Sequence, residues 1–453
     1  MLSEINLAIV GHANVGKTSL LRTLTQDSRL GTISDKPGST RHVEAITFSL
    51  DNNYKIIFYD TPGLEDSIAL YDYINRLDGY QSKADGIDKL NLFLSSPESE
   101  HKFEQEAKVI RQLLKSDAAI YVVDVREPIL DKYHDELATL AYSDKPILAV
   151  FNYTASSSPY EAEWKKLLSR IGIHALVSFD AVFPSIEGEQ RLYQSLLLLI
   201  EPAKNILNQW QEKIKQQRID RNHRAKLVIA ETLVDVAAYN EIANDNIEEM
   251  IKTMQNNVRQ REQKAINDLL SLYQFSISQQ SSENIPVLQG RFASDLFNKE
   301  ALKLMGIHLS KGVLSGAAIG AGVDLAVGGI TLGSAALIGA AIGGLAQTAK
   351  HYGNRIKNKL SGRAKMTIDD AIICFLSLRL LQLKESLNLR GHANSMPIIL
   401  AKLDESAWKK GKLPKSLQIA RAHANWSTIG RHKLKKEDAQ RQEVLSNVAN
   451  ELE

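Results

Sequence analysis

The chain of 453 residues has one cysteine, Cys374, so an internal disulfide is excluded. Cys374 itself sits in the helical run AIICFLSL and reads as a small apolar residue. The N-terminus, MLSEINLAIVGHA, lacks the charged-then-apolar plan of a signal peptide. Both absences imply a reducing, cytoplasmic setting. Glycine and proline are missing from Ala203 to Ile285, which excludes tight turns there and leaves room for long helices. Acidic residues are missing from Ser406 to Lys436, and between Val313 and Ala349 the only charge is Asp324. A hydrophobic content of 44% and a charged content of 24% exclude a disordered chain. The length exceeds what one compact core supports, and the net charge of +2 identifies no partner.

What is present begins with alternation. INLAIV, EAITFSL, YKIIFYD, AAIYVVDV, PILAVF and HALVSF read as strands, and the stretches 16–25, 101–116 and 159–171 between them have helical spacing. The alternation predicts a doubly wound α/β sheet over residues 1–200. The turn DNN at 51–53 predicts an antiparallel edge hairpin within a mixed sheet. The long interval between Gly63 and Ala118 predicts a helical insertion. Residues 201–300 read as a long-helix region, with apolar positions at Ile206, Trp210 and Ile214 and then at Ile247, Ile251, Met254 and Val258. An antiparallel helix pair is expected there, with a coiled-coil partner site as the alternative.

The loop GHANVGKTSL at 11–20 fits G-x-x-x-x-G-K-[ST] between a strand and a helix. Gly11 and Gly16 let the backbone curl around phosphate oxygens, the amides of residues 14–18 point inward, and the helix N-terminus adds its dipole. Asn14, Val15, Ser19 and, later, Asn152 join Gly11, Gly16, Lys17 and Thr18 as candidate nucleotide-binding residues. Lys17 supplies charge to the β- and γ-phosphates and the Thr18 hydroxyl is placed for Mg²⁺. In DTPG at 60–63, Asp60 can hold the metal through water and the Gly63 amide can sense the γ-phosphate. In PGSTR at 37–41, Thr40 is placed to close a first switch over the metal. Lys17, Thr40 and Gly63 are thus the candidate catalytic residues, and Thr18, Thr40 and Asp60 the candidate metal ligands.

GHANVGKT, PGSTR and DTPG together resemble the Era and TrmE group of bacterial GTPases over about the first 200 residues. The whole chain is similar to bacterial GTPases with a C-terminal domain of unknown function. The resemblance implies a GTP-hydrolysing switch with Mg²⁺ among Thr18, Thr40 and Asp60, and GTP and GDP as ligands. At the position of Asn14 some relatives coordinate K⁺; a turn residue tying the loop together is the alternative. Leu64 stands where Ras-like enzymes carry a water-orienting glutamine, so hydrolysis is expected to be slow or completed by something else. Where relatives carry Asn-Lys-x-Asp, this chain has Asn152, Tyr153, Thr154 and Ala155. Asn152 keeps a loop-organising role, Tyr153 is placed to cover the base, and Ala155 cannot replace a carboxylate. Asp180 in SFDAV either compensates or caps the following segment.

The remaining segments bear on output. In residues 301–350, Gly316 with Gly320, Gly329 with Gly333, and Gly339 with Gly343 form G-x-x-x-G pairs. They predict a helical hairpin turning at Gly328 and Gly329. A helix from Val313 to Val327 would be about 22 Å long, short of the roughly 30 Å hydrocarbon core. It reads as a surface-inserting or re-entrant hairpin, or as a buried pair in a soluble domain; the mean hydropathy of the chain is only -0.21. Residues 351–453 form a basic helical region, opened by TIDD with Thr367 as cap and Asp370 answering it, and stopped at Gly391. Lys350, Arg355, Lys357, Lys359, Arg363 and Lys365 follow the apolar segment with no acid before Asp369, and from Ser406 to Lys436 there are nine Lys and Arg and no acid. Such runs suit anionic lipid, nucleic acid or solvent. The expectation is a switch peripheral to the inner membrane, with a homodimer or effector protein as further partner. The alternative is a nucleotide-gated RNA- or ribosome-binding module. Nucleic acid ranks lower, because no β-α-α-β pattern surrounds a GXXG loop.

Overall fold

The computed structural model describes residues 3–25, 42–50, 54–77, 85–155, 159–242, 246–275, 287–288, 291–292, 294–298, 323–327, 330–331, 365–391, 408, 413–429 and 438–452. Thr40 and its motif lie outside them, as does most of the glycine-rich segment. The chain forms two compact units, Met1–Arg218 with Leu389–Asn394, and Ile219–Asn388 with Ser395–Glu453.

The first unit is built on a mixed six-stranded sheet. Strands β1 (Glu4–Val10), β2 (Glu44–Ser49), β3 (Lys55–Asp60), β4 (Ala118–Asp124), β5 (Ile147–Asn152) and β6 (Leu176–Ser178) lie in the order β2-β3-β1-β4-β5-β6. Only β2 is antiparallel, with Ile46 opposite Phe58 and Phe48 opposite Ile56. Every residue of β4 and β5 is buried, as strands covered on both faces require. The alternation along β1 feeds two cores. Leu7 and Ile9 join Leu20 and Leu21 of helix α1 (Lys17–Thr25), while Ala8 and Val10 face the opposite layer. That layer contains α2 (Ser67–Leu77), α3 (Gly86–Leu94), α4 (Glu104–Lys115), α5 (Asp131–Ala141) and α6 (Glu161–Arg170). Helices α2 to α4 are the insertion expected after Gly63. Helix α4 buries Ala107, Val109, Ile110 and Leu113, a stripe at helical spacing. Helix α7 (Ile186–Leu199) is capped by Ser185, whose hydroxyl accepts the Gly188 amide at 2.9 Å.

Helix α8 (Lys204–Ala238) runs 35 residues without a break. Trp210 near its start packs edge-on to Phe48 at 4.5 Å between ring centroids. Ala225, Ile229, Leu233 and Val236 farther on enter the core of the second unit, with α9 (Ile247–Leu272) and helices α10 (Asp370–Asn388), α11 (Lys415–Ala422) and α12 (Ala439–Asn450). Buried Asp235 accepts from Arg261 Nε at 2.6 Å and Thr428 Oγ1 at 2.8 Å, so its charge among buried apolar neighbours is paired.

Strands modify the helical expectation. Between α8 and α9 lies β7 (Asn240–Ile242), and Val287–Leu288 (β8) pairs with Arg291–Phe292 (β9). Strands β10 (Val323–Val327), β11 (Ile330–Thr331) and β12 (Lys365–Ile368) join β7 in an antiparallel sheet ordered β11-β10-β12-β7. Gly328 and Gly329, the expected turn, lie outside the described residues, and Val327 before them pairs with Ile330 after them. Residues 323–327 and 330–331 are strand and not the expected helix, because Val323 to Ala326 of β10 pair with β12, where β-branched residues suit a ladder. Thr367 is likewise in β12 and not a cap; the Asp369 carboxylate takes that role, accepting the Ala371 amide at 2.7 Å. Helix α10 ends at Asn388, before Gly391. Arg421, read as part of a basic run, is mostly buried, paired with Asp370 and bonded to the Ile368 carbonyl at 2.6 Å.

Candidate nucleotide site

Parallel strands β1 and β3 deliver their C-terminal loops to the same edge of the sheet, where open α/β folds place ligands. The first loop needs left-handed backbone at Gly11 (φ 139°), Asn14 (φ 64°) and Gly16 (φ 93°). Two of these are glycine for space as well: a Cβ at Gly11 would lie 2.7 Å from the Val122 carbonyl oxygen, and one at Gly16 would lie 2.4 Å from Asn152 Nδ2. Asn14 is exposed, Val15 is buried beneath the loop, and Ser19 lies in the first turn of α1.

Lys17 is buried and donates to the carbonyls of Gly11 at 2.8 Å and His12 at 2.7 Å. Burial pulls its ammonium below the usual range, against the attraction of Asp60 and Glu136. The Thr18 hydroxyl donates to Asp60 Oδ2 at 2.6 Å. Burial raises the Asp60 carboxyl, opposed by Thr18 and Lys17. Asp60 Oδ1 is buried with no hydrogen-bond partner. A buried acceptor without a donor, beside a hydroxyl and a lysine, fits a divalent cation. The strand β3 loop is pinned by Thr61, whose hydroxyl donates to the Ile9 carbonyl at 2.6 Å. Gly63 lies flat on the phosphate loop; a Cβ there would meet Ala13 Cα and N at 2.7 Å. Leu64 is wholly buried and carries no polar group.

The loop after β5 is tied to the same place. Asn152 Nδ2 donates to the Val15 carbonyl at 3.0 Å, and its Oδ1 accepts the amides of Tyr153 and Ala181, each at 2.9 Å. This is the organising role expected of Asn152. Tyr153 adopts φ 61° and sets its hydroxyl beside Gly16. The Arg126 guanidinium stacks on the Tyr153 ring at 3.7 Å and is held by Asp124 through Nε at 2.9 Å. Asp180 accepts amides from Ala155, Val182 and Phe183.

Some contributors had not been singled out from the sequence. Under the phosphate loop, Glu136 of α5 is fully buried, 3.4 Å from His12 Nδ1, and burial raises its carboxyl. Lys132 Nζ lies 2.9 Å from His12 Nε2. A signal for Glu136 did exist: it interrupts the apolar stripe Tyr133, Leu137, Leu140 of α5 with a charge.

Residues 165–450 match the family described as Domain of unknown function (DUF3482), and residues 6–153 match 50S ribosome-binding GTPase. GTPase Era of Vibrio cholerae is 34% identical over 113 residues, 24% of this chain and 33% of that protein. The mitochondrial tRNA modification GTPase MSS1 of Saccharomyces cerevisiae is 32% identical over 155 residues, 32% of this chain and 28% of that protein. GTPase Era of Mycoplasmopsis pulmonis is 29% identical over 193 residues, 42% of this chain and 58% of that protein. The chain thus covers less than two thirds of each of these relatives. A solved structure of Era with MgGDPNP and a segment of 16S ribosomal RNA matches at a TM-score of 0.30 and 20% identity, over 44% of this chain and 58% of that one.

Proposed function

Because the chain belongs to the family described as Domain of unknown function (DUF3482) and carries ahead of that region a P-loop GTPase domain similar to Era and MnmE, we propose that it is a switch that binds and hydrolyses GTP. The observation that carries this reading is the junction of Lys17, Thr18 and Asp60, with the unpartnered Asp60 Oδ1 at its centre. Thr18 and Asp60 would hold Mg²⁺, joined by Thr40 from the first switch. The ion, when bound, neutralises charge on the terminal phosphates. Lys17 turns from its loop carbonyls to the β- and γ-phosphates, the amides from Asn14 to Thr18 cradle them, and the Gly63 amide senses the γ-phosphate. Leu64 orients no water, so basal turnover is slow. Exposed Asn14 is the place at which K⁺ would enter and raise it.

For the output, we favour docking of the C-terminal region on an anionic inner-membrane surface, supported by its basic runs and the nearly uncharged segment 313–349. Among the described residues no helix is long and apolar enough to cross a membrane. The description 50S ribosome-binding GTPase supports the rival, a ribosome- or RNA-bound switch. A homodimer or effector protein would serve either. Hydrolysis by the purified chain tests the core of the proposal: Lys17→Ala should abolish nucleotide binding, and K⁺ should speed turnover over Na⁺ only while Asn14 is present. Unchanged affinity in Lys17→Ala refutes it. Pelleting with membranes after nuclease treatment supports the membrane output, and co-sedimentation with ribosomes the rival.

A further inference from the structure

Guanine offers two adjacent N–H donors, N1–H and the 2-amino group, on the edge that a selective site must read. A carboxylate is the natural reader because it accepts without donating. Asn152, Tyr153, Thr154 and Ala155 provide none. The adjacent loop, after β6, does. Asp180 is 6% exposed, and its Oδ2 accepts the Ala155 amide at 2.8 Å. The carboxylate therefore stands beside the backbone of the very residue whose side chain cannot supply one.

Its position is fixed. Oδ1 accepts the amides of Val182 at 2.8 Å and Phe183 at 3.0 Å. The neighbouring Ala181 amide is held by Asn152, whose other end grips Val15 of the phosphate loop. Asp180 is thus one residue from a chain of bonds leading to the phosphate site. A carboxylate has about four acceptor positions, and three backbone amides occupy two on Oδ1 and one on Oδ2. One acceptor position on Oδ2 remains, on the oxygen that faces Ala155. We infer that Asp180 is the carboxylate that reads guanine, supplied by the loop after β6 in place of the loop after β5. With one acceptor position, it reads the base by one hydrogen bond, so selectivity over adenine is narrower than a two-bond reader gives.

This inference rests on the GTPase reading, and nucleotide binding by the full chain separates their failures. Fluorescent GDP displaced by GDP, XDP and IDP in Mg²⁺ buffer gives the affinities. The unaltered chain should bind GDP well and XDP at least tenfold less, because the C2 carbonyl of xanthine faces the carboxylate. Asp180→Asn should weaken GDP by about tenfold or more and strengthen XDP, since the amide can donate to that carbonyl. Adding Ala155→Asp to Asp180→Ser should recover GDP affinity lost in Asp180→Ser alone. Equal loss of all three nucleotides in Asp180→Asn would assign the residue to loop structure and overturn the inference. Should the variants fail to fold, equal affinity of the unaltered chain for GDP and XDP overturns it as well. If the unaltered chain binds no guanine nucleotide, the GTPase reading falls first.

Discussion

Leu64 follows Gly63, the proposed γ-phosphate sensor, yet its side chain is wholly buried in the layer with Leu70, Ile74 and Phe93. Its backbone amide leans on the Gly11 carbonyl at 3.4 Å. Leu64→Ala should therefore cost about 2 to 5 kcal/mol of stability, read by urea denaturation, while turnover per folded molecule falls less than in Asp60→Ala. A variant of full stability would show that the site collapses around the cavity. In the second unit, Glu262 is buried beside Arg379 at 3.3 Å, and burial raises its carboxyl from 4.5 to about 7. A carboxyl raised in the folded state contributes stability that is whole below pH 4.5 and is lost as pH rises through 7. Glu262→Gln should remove that dependence, at most about 3 kcal/mol between pH 5 and pH 8. Denaturation at the two values, compared between variant and unaltered chain, measures it; identical slopes would mean that Arg379 already holds the charge.

At the level of elements, the short strap after α10 departs from its neighbours in sequence. Leu389–Asn394 belongs to the first unit, although α10 and most of the C-terminal region belong to the second. Gly391 donates its amide to the Val182 carbonyl at 3.1 Å. A Cβ there would lie 2.1 Å from the Ala181 carbonyl oxygen, an approach only glycine permits without movement. Gly391→Ala should then lift the strap from the loop that Asp180 organises. The expected signs are a loss of about 1 to 3 kcal/mol and faster hydrogen exchange at Val182 and Phe183. Unaltered exchange at those amides would mean that the loop holds its shape without the strap.

For the whole molecule, the apolar residues gather into separate cores, one around α8, α9 and α10 and the others against the two faces of the six-stranded sheet. Trp164 and Trp210 are buried in the first unit, Trp408 and Trp426 in the second. Calorimetry should resolve two unfolding transitions. GDP with Mg²⁺ at a hundred times its dissociation constant should add about 2.7 kcal/mol to one of them, the one followed by Trp164 and Trp210. A single transition that moves as a whole would show the units to be one cooperative body.

The strands, the edge hairpin and the phosphate loop were legible in the sequence because each is set by neighbours along the chain. Alternation of apolar residues reports a strand, and glycine where φ is positive reports a curled loop, as at Gly11 and Gly16. The long helices followed from the lack of glycine and proline for the same reason. Pairings between distant segments leave no such local trace. Strands at 240–242, 323–327 and 365–368 meet only when the second unit folds, and glycine spacing alone had suggested helix for part of them. A charge, too, takes its meaning from partners the fold supplies. Arg421 looks like one member of a basic run until Asp370 is beside it. Glu136 becomes a support of the phosphate loop only once α5 is packed beneath it. Asp180 meets Ala155 across 25 positions of sequence. Local pattern can specify elements because backbone geometry repeats, whereas burial and hydrogen-bond partners belong to the assembled core, and that assembly alone put a carboxylate next to the loop that lacks one.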